Sequence, residues 1–316
     1  MSVIKRIHSK VSREANQFLN VNSLKRVLSK QPKVENFNYE RFETEILGFV
    51  RALRVKGSFS YRYCDSCVNG DLYSTLFAVM THSLFNSVSQ FSEKDKEGLA
   101  KYIKSFQRED GLFYDPSFDQ SPLWDGEDWW GPRNITLHAL NALLLLGEKP
   151  YGELRFLDTF IKGEDQFSWL NSSAFWSSDK VLDTDLDNKV MNIGCMMQYN
   201  RDVNNCLYSA AALDALKVEL LSRINTETGI WGGPNIMSPK ALSRKIQFAY
   251  HLFPLFTRDD QFDFDLEKIV ENALRTQNRL GGFGVQINSS ACEDIDSVEI
   301  LTRFYPFVGS NLQDRV

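Results

Sequence analysis

The sequence has 316 residues, a formal net charge of −5 and a pI of about 5.5, so it lacks the basic excess that nucleic-acid binders usually carry. With 43% hydrophobic and 13% aromatic residues it can bury a large core, and no apolar run approaches the roughly 20 residues of a membrane span. Five cysteines without a framework predict free thiols in a reducing compartment, so we expect a cytoplasmic protein.

The first 38 residues predict one or two helices, interrupted at Pro32, that pack on the rest of the chain. Charges are spread along this segment, so it does not have the pattern of a secretory signal. The basic residues from Lys5 to Arg13 lie among apolar ones. They fit either an ordinary packed helix or a weak amphipathic face for peripheral membrane contact.

From Tyr39 onward the sequence repeats. In each repeat a glycine, or a residue in its place, stands two positions before an aromatic residue: Gly57-Ser-Phe59, Gly111-Leu-Phe113, Asp165-Gln-Phe167, Gly229-Ile-Trp231 and Gly281-Gly-Phe283. The steps between these turns are 54, 54, 64 and 52 residues. A period near fifty, with two helical segments per repeat, is typical of an array in which no repeat buries its apolar face alone.

Two kinds of helical segment alternate in the repeats. Charged amphipathic segments come first: Tyr39–Leu53, Ser92–Gln107, Tyr151–Lys162, Asn204–Ile224 and Phe264–Gln277. Segments with fewer charges follow: Asp71–Ser87, Asn134–Leu146, Asn188–Val203, Ala241–Phe256 and Asp294–Tyr305. Helices with so few charges must be covered by other protein. We therefore predict an all-α fold in which five to six helical hairpins close into one α/α toroid (barrel) over residues 39–316, with the less charged helices inside.

The inner helices of such a ring run in the same direction, so their N-termini gather at one end. Polar residues at or near these starts are candidates for substrate binding, namely Asp71, Asn192, Arg244 and Glu293. Tyr73 and His251, which lie further inside their helices, are added to them. Asp and Asn are also preferred N-caps, and capping is the competing interpretation. His138, one turn inside its helix, is a candidate general base or a buried core histidine.

The loop of residues 124–133 is the most unusual stretch, because three of the six tryptophans lie within seven residues. Trp129, Trp130 and Arg133 are its candidate binding residues. Flat indoles suit a cation, or the apolar face of a sugar or isoprenoid. The alternative is an aromatic plug at the rim of the ring.

Metal and cofactor motifs are weak in this sequence. Cys64-Asp-Ser-Cys67 is a single CxxC, whereas structural zinc takes four ligands. The alternating acids of residues 183–187 lack the glycine and the distal glutamate of a calcium loop. No phosphate loop, dinucleotide fingerprint or nucleophile elbow is present. We expect neither a metal nor a cofactor.

Three of the glycine turns resemble motifs of a known superfamily. They are Gln107-Arg-Glu-Asp-Gly-Leu-Phe113, Gly229-Ile-Trp231-Gly and Gln277-Asn-Arg-Leu-Gly-Gly-Phe283-Gly. They resemble those of the α/α-toroid superfamily of class II terpenoid (squalene-type) cyclases and protein prenyltransferase β subunits. In those proteins the glutamine and the aromatic residue tie neighbouring helices together. The repeats span roughly residues 39–305, and they support the architecture better than a reaction.

The resemblance implies an acid. Class II cyclases protonate an alkene or epoxide with the middle aspartate of an Asp-x-Asp-Asp motif, and Asp294-Ile-Asp296-Ser297 is similar, with serine in the last place. Asp296 is then the acid and Asp294 its partner, although the missing carboxylate weakens the network that keeps Asp296 protonated. The same residues fit acidic helix caps. The zinc site of the prenyltransferases is not matched, because Cys292-x-Asp294 reverses their Asp-x-Cys order.

Three functional hypotheses follow. The first is an isoprenoid-handling enzyme, an isomerase or lyase that cyclises a prenyl substrate from an acid. The second is a carbohydrate-active toroid, a lyase, epimerase or hydrolase acting on a glycan. The third is a non-catalytic binding toroid. In the first two the partner is a small molecule, and an apolar aromatic cavity would favour the first.

Overall fold

The structure is a computed structural model that describes residues 37–118, 129, 131–162, 167–171, 173–176, 185–233, 239–278, 281–284 and 290–316. The segment predicted over residues 1–38 lies outside the described residues except for its last two, as do Trp130 and most of the tryptophan-rich loop. Within these ranges the chain is helical, and its β-type pairing consists of isolated bridges. The prediction of an all-α protein is confirmed.

The longer helices of the described ranges are α1 (Tyr39–Ala52), α2 (Leu72–Leu84), α3 (Glu93–Lys104), α4 (Pro132–Leu145), α5 (Leu186–Asn204), α6 (Leu207–Leu221), α7 (Pro239–Leu252), α8 (Leu266–Leu274) and α9 (Ala291–Phe304). Short helices are Asp158–Ile161, Ser168–Asn171, Pro254–Thr257 and Ser310–Gln313, and 3₁₀ turns are Val88–Gln90, Pro116–Phe118, Arg155–Leu157, Ala174–Trp176 and Tyr305–Phe307. No helix of the described part of the chain is both long and apolar enough to cross a bilayer.

Helix starts follow from side-chain caps. The carboxylate of Asp71 accepts the Ser74 N–H at 2.7 Å and starts α2, and Ser92 caps α3. At α9, Ser290 and Glu293 form a reciprocal capping box, so this helix begins three residues before Asp294.

The helix predicted over Tyr151–Lys162 is confirmed only at Asp158–Ile161. The reason lies in Gln107 of the preceding repeat. Its Oε1 accepts the N–H groups of Tyr151 at 2.7 Å and Gly152 at 3.2 Å, and its Nε2 donates to the Gly152 carbonyl at 3.2 Å. The first N–H groups of a helix have no partner within it, so the carbonyl contact matters most: the Phe156 N–H, the helical partner of the Gly152 carbonyl, donates to the Asp110 carbonyl at 3.2 Å instead.

The glycine turns form a repeated local structure. The four described turn glycines have positive φ: 78° for Gly57, 90° for Gly111, 71° for Gly229 and 91° for Gly281. A bridge closes each turn, and the pairs are Arg54 with Tyr61, Gln107 with Phe113, Ile224 with Trp231 and Gln277 with Phe283. In the first repeat the paired aromatic residue is therefore Tyr61, two residues beyond the Phe59 of the sequence pattern.

The residue that closes the turn also binds the helix after it. The Tyr61 N–H donates to Thr75 Oγ1 at 3.0 Å, and the Phe113 N–H donates to Thr136 Oγ1 at 2.8 Å. Each hydroxyl in turn donates to the carbonyl four residues earlier in its own helix. These polar residues of the first helical turn thus hold each glycine turn against its helix.

The chain divides into two compact units. Unit I contains the described residues of 38–173 and 185–219. In it α2 contacts α1, α3 and α4, and α4 contacts α3 and α5. Its core is built from buried apolar side chains, among them Leu72, Leu76, Ile103, Phe113 and Leu143.

Unit II contains the described residues of 174–176 and 220–316, with Phe37. Helices α7, α8 and α9 contact one another. Its centre is aromatic: Trp231 is fully buried and lies within 6.0 Å, centroid to centroid, of Phe253, Phe256 and Phe264. The Trp231 indole N–H donates to the Leu220 carbonyl at 2.8 Å, which satisfies its polar edge.

Candidate functional site

A largely apolar pocket lies in unit I between α1, α2 and the loop that joins them. Its volume is about 960 Å³, at the upper end of the usual range for small-molecule sites. The principal apolar and aromatic residues of its walls are Phe49, Val50, Leu53, Tyr61, Tyr63, Val68, Tyr73, Phe77 and Ala78.

Helical spacing places these side chains on the pocket. Phe49 of α1 and Leu53, the residue that caps its C-terminus, are four residues apart, and Tyr73 and Phe77 are four apart on α2, so each pair lies on one side of its helix. Phe49 is 58% exposed and Phe77 is 50% exposed. Large apolar side chains exposed side by side around a concavity are typical of a binding site.

Two charged side chains on the pocket wall, Asp71 and Arg62, differ in their hydrogen bonds. Both carboxylate oxygens of Asp71 accept hydrogen bonds from Ser74, from its N–H and its hydroxyl, each at 2.7 Å. Arg62 donates to the Ala52 carbonyl at 3.3 Å and pairs with Asp65 at 3.1 Å, while its buried Nε has no hydrogen-bond partner. Asp71 is thus engaged as a helix cap, and Arg62 is a cation on the wall of an apolar pocket.

Tyr73 and His138, two of the predicted site residues, come together beside this pocket. The His138 ring centroid is 5.3 Å from that of Phe77 and 6.4 Å from that of Tyr73. The Tyr73 hydroxyl donates to Asn134 Oδ1 at 3.4 Å. Burial lowers the pKa of His138 below its ordinary value, so the imidazole is neutral near pH 7. A neutral imidazole can accept a proton there, as a general base does.

Trp129 lies inside an aromatic cluster of unit I and is only 3% exposed. The Arg133 guanidinium is 4.7 Å from its ring centroid. The Lys189 ammonium lies 5.3, 5.6 and 5.1 Å from the ring centroids of Trp129, Phe160 and Trp169. The cation that these aromatic faces hold therefore belongs to the chain itself. A ligand-binding role for Trp129 and Arg133 stays a prediction, and Trp130 lies outside the described residues.

Asn192 is fully buried on α5. Its Nδ2 donates to the Asn188 carbonyl at 2.8 Å and to the Trp129 carbonyl at 3.4 Å. Its Oδ1 and that of Asn188 are buried without a hydrogen-bond partner. The Asn192 side chain thus fixes the position of Trp129. The two buried carboxamide oxygens could each accept a hydrogen bond in the interior of unit I.

The acids implied by the resemblance lie in unit II on α9. Asp294 Oδ1 accepts the Phe283 N–H at 2.6 Å, and Glu293 accepts from Ser243 Oγ at 2.8 Å in addition to its capping role. Asp296 is 4% exposed. Burial, with a smaller contribution from the Asp296 charge, raises the pKa of Tyr250 to about 12.

The remaining predicted site residues, Arg244 and His251, are partly buried on α7 of unit II. The His251 ring centroid is 5.4 Å from that of Tyr250. The predicted site residues therefore fall in two groups. Unit I contains Asp71, Tyr73, Trp129, Arg133, His138 and Asn192, and unit II contains Arg244, His251, Glu293, Asp294 and Asp296.

Sequence reasoning missed the residues that build the pocket, chiefly Phe49, Arg62 and Phe77. A signal was present for Phe77, because Tyr73, Phe77 and Thr81 form a row at four-residue spacing on a helix of low charge. Arg62 lies between two tyrosines in the Tyr61-Arg-Tyr-Cys64 run, a small aromatic and basic cluster. Both features become informative only once the loop is known to face α1 and α2.

In the described part of the chain, no three His, Cys, Asp or Glu residues are grouped so that they could hold a metal ion. The chain matches no model of a known protein family, and no curated protein matches it. The resemblance to the cyclases and prenyltransferases rests on the turn motifs alone.

Proposed function

We propose that this protein is an isoprenoid-handling enzyme, similar to class II terpene cyclases, which binds a prenyl chain in the pocket of unit I. In this proposal the helical hairpins close into an α/α toroid. The repeated glycine turns, and the glutamine that ties one repeat to the next, support this architecture. The proposal of an apolar ligand rests on one observation, the pocket of about 960 Å³ with its exposed phenylalanines.

A prenyl chain fits the chemistry of these walls. It is a branched hydrocarbon, so its transfer from water to Phe49, Leu53 and Phe77 is driven by burial of apolar surface. Aromatic faces also stabilise positive charge, which develops on carbon during cyclisation. Arg62 adds a cation that suits an anionic head group, such as a diphosphate, at one end of the chain.

The pocket of unit I carries the ligand class alone, and the chemical step is the one that the resemblance implies, protonation by Asp296 of unit II. Its carboxyl proton adds to one carbon of a terminal double bond, or to the oxygen of an epoxide, and leaves a carbocation. The next double bond of the chain closes the ring on that cation, and loss of a proton ends the reaction. Asp296 is the buried one of the two acids, at 4% exposed, and this supports its choice over Asp294.

Mass spectrometry of the purified protein for retained ligand, followed by incubation with prenyl diphosphates and prenyl epoxides, tests this function. We expect a cyclised product that disappears in Asp296→Asn while the ligand still binds. Absence of both prenyl binding and product would reject the proposal. The cytoplasm stays the proposed compartment, because the five cysteines of the sequence are scattered without the spacing of a disulfide framework.

A carbohydrate-active enzyme is the second candidate, and the Tyr73 and His138 pair favours it. A histidine and a tyrosine can remove and return a proton on a uronyl residue. The test is activity on uronic-acid oligosaccharides in the wild type, His138→Ala and Tyr73→Phe. Uronyl turnover lost in both variants, with no prenyl binding to the wild type, would replace the first function by this one.

A further inference from the structure

Two cysteines lie in contact in the loop between α1 and α2. Cys64 Sγ and Cys67 Sγ are 3.5 Å apart, and the Cys67 N–H donates to the Cys64 carbonyl at 3.1 Å. The backbone turn thus already brings the two side chains together. A disulfide needs a sulfur separation of about 2.0 Å, which small side-chain rotations can reach from here.

The loop that carries the pair is held at both ends. The Asp71 N–H donates to the Tyr61 carbonyl at 3.0 Å, and the Arg62 N–H donates to the Leu53 carbonyl at 3.0 Å. Gly70 lies so close to Ser60 that an added Cβ would be 2.3 Å from Ser60 Oγ. The ends of the loop are therefore fixed, and the 64–67 turn lies between them.

The two thiols are not equivalent. Ser66 Oγ lies 3.0 Å from Cys64 Sγ, and hydrogen bonds from Ser66 and then Cys67 lower the pKa of Cys64. The hydrogen bond with Cys64 raises the pKa of Cys67. Both side chains are partly exposed. A more acidic, accessible thiol beside a less acidic one is the arrangement of an attacking and a resolving cysteine.

We propose that Cys64 and Cys67 are a reversible thiol–disulfide site, oxidised by low-molecular-weight disulfides and placed on the wall of the apolar pocket. Cys67 itself lines that pocket. This inference goes beyond the proposed function and does not depend on it. The site is a dithiol that exchanges two electrons with a small disulfide such as oxidised glutathione.

The reaction is two successive exchanges. The Cys64 thiolate attacks one sulfur of the small disulfide, forms a mixed disulfide and releases the first small thiolate. The Cys67 thiolate then attacks Cys64 Sγ, closes the protein disulfide and releases the second. The two protons given up by the cysteines end on the two small thiols, so one dithiol and one disulfide yield one protein disulfide and two thiols.

The test equilibrates the full chain in buffers of varied reduced to oxidised glutathione ratio, then traps thiols by alkylation for mass spectrometry. We expect Cys64 and Cys67 to lose reactivity together, with an intact mass lower by two hydrogens, and to regain it on reduction. Cys67→Ser should accumulate a glutathione adduct on Cys64. Cys292→Ser, which changes an exposed cysteine outside the pair, should behave as the wild type.

Two results would overturn the inference. Thiols that stay alkylatable at every glutathione ratio would show that the pair does not oxidise. One bound zinc per chain that protects both thiols until a chelator removes it would make the pair a metal site instead. The assay contains no prenyl ligand, so its failure is distinguishable from failure of the proposed function.

Discussion

The main-chain N–H of Phe283 donates a hydrogen bond of 2.6 Å to Oδ1 of Asp294. The corresponding turn of the second repeat has the Phe113 N–H donating to Thr136 Oγ1 at 2.8 Å. The two acceptors fill the same structural position, although one is a carboxylate and the other a hydroxyl. Asp294 therefore holds the last glycine turn against α9, whatever it adds to the chemistry of Asp296.

Replacing Asp294 should first cost stability. Asp294→Ala leaves the Phe283 N–H without its acceptor, so we expect the free energy of unfolding to fall by about 1–3 kcal/mol. Asp294→Asn keeps an oxygen acceptor and should recover most of this loss. Chemical denaturation of the three proteins measures the difference. Equal stability of the alanine variant and the wild type would contradict the structural role.

Gly111 and Gly281 form a matched pair for a test of the repeated turn. Their φ values are 90° and 91°, but an added Cβ at Gly111 would be 2.1 Å from the Glu153 carbonyl oxygen, whereas at Gly281 it meets no described atom within 4 Å. Gly281→Ala should cost about 1–2 kcal/mol for its left-handed backbone. Gly111→Ala should cost a further ~1–3 kcal/mol from the clash.

Thermal or chemical unfolding of both glycine variants checks this order. An equal loss of unfolding free energy in Gly281→Ala and Gly111→Ala would contradict the close approach of the second turn to residues 153–154.

His138 should make stability depend on pH. Its folded pKa is below the ordinary value of 6.5 because of burial, so the unfolded chain binds the proton first as pH falls. The contribution is thus present above about pH 6.5 and is lost as pH decreases toward the folded pKa. His138→Gln should lose less stability than the wild type between pH 7.5 and 5.5. Identical slopes of unfolding free energy against pH would contradict a buried neutral imidazole.

Arg62 should recognise the head group of the pocket ligand. We expect Arg62→Gln to weaken binding of a prenyl diphosphate by about tenfold, which corresponds to ~1.4 kcal/mol, and to leave binding of the prenyl alcohol unchanged. Arg41→Gln is the control, because Arg41 pairs with Glu45 on α1 and does not line the pocket. Calorimetric titration gives both affinities. An equal loss of affinity for the diphosphate and the alcohol would show that Arg62 packs in the pocket wall and does not recognise the head group.

The helical repeats were predictable because their signals are local. A glycine that must adopt positive φ, an aromatic residue two positions later and an apolar helix are each visible in the sequence, as at Gly111 and Phe113. The exact positions of turn residues and the extent of each helix were harder to predict. The first turn has two extra residues before Tyr61, and the Tyr151–Lys162 helix is replaced in part by hydrogen bonds to Gln107, a partner 44 residues away.

The candidate site was less predictable, because it depends on contacts between distant residues. The sequence predicts Asp71 as a binding residue, whereas in the structure both its carboxylate oxygens accept hydrogen bonds from Ser74. The sequence predicts a ligand over the indole of Trp129, whereas in the structure the side chains of Arg133 and Lys189 lie over that ring. The pocket is formed when the loop of residues 61–71 lies beside Phe49 of α1 and Phe77 of α2, and no sequence period contains that information.

The most direct test of the central claim is a calorimetric titration of a prenyl diphosphate into the wild type, Phe77→Asp and Phe307→Asp. The two phenylalanines are similarly exposed, at 50% and 55%, but only Phe77 lines the pocket. We predict that Phe77→Asp weakens binding by tenfold or more, about 1.4 kcal/mol, while Phe307→Asp binds as the wild type does. Equal affinities in all three proteins would contradict the claim that this pocket holds the ligand.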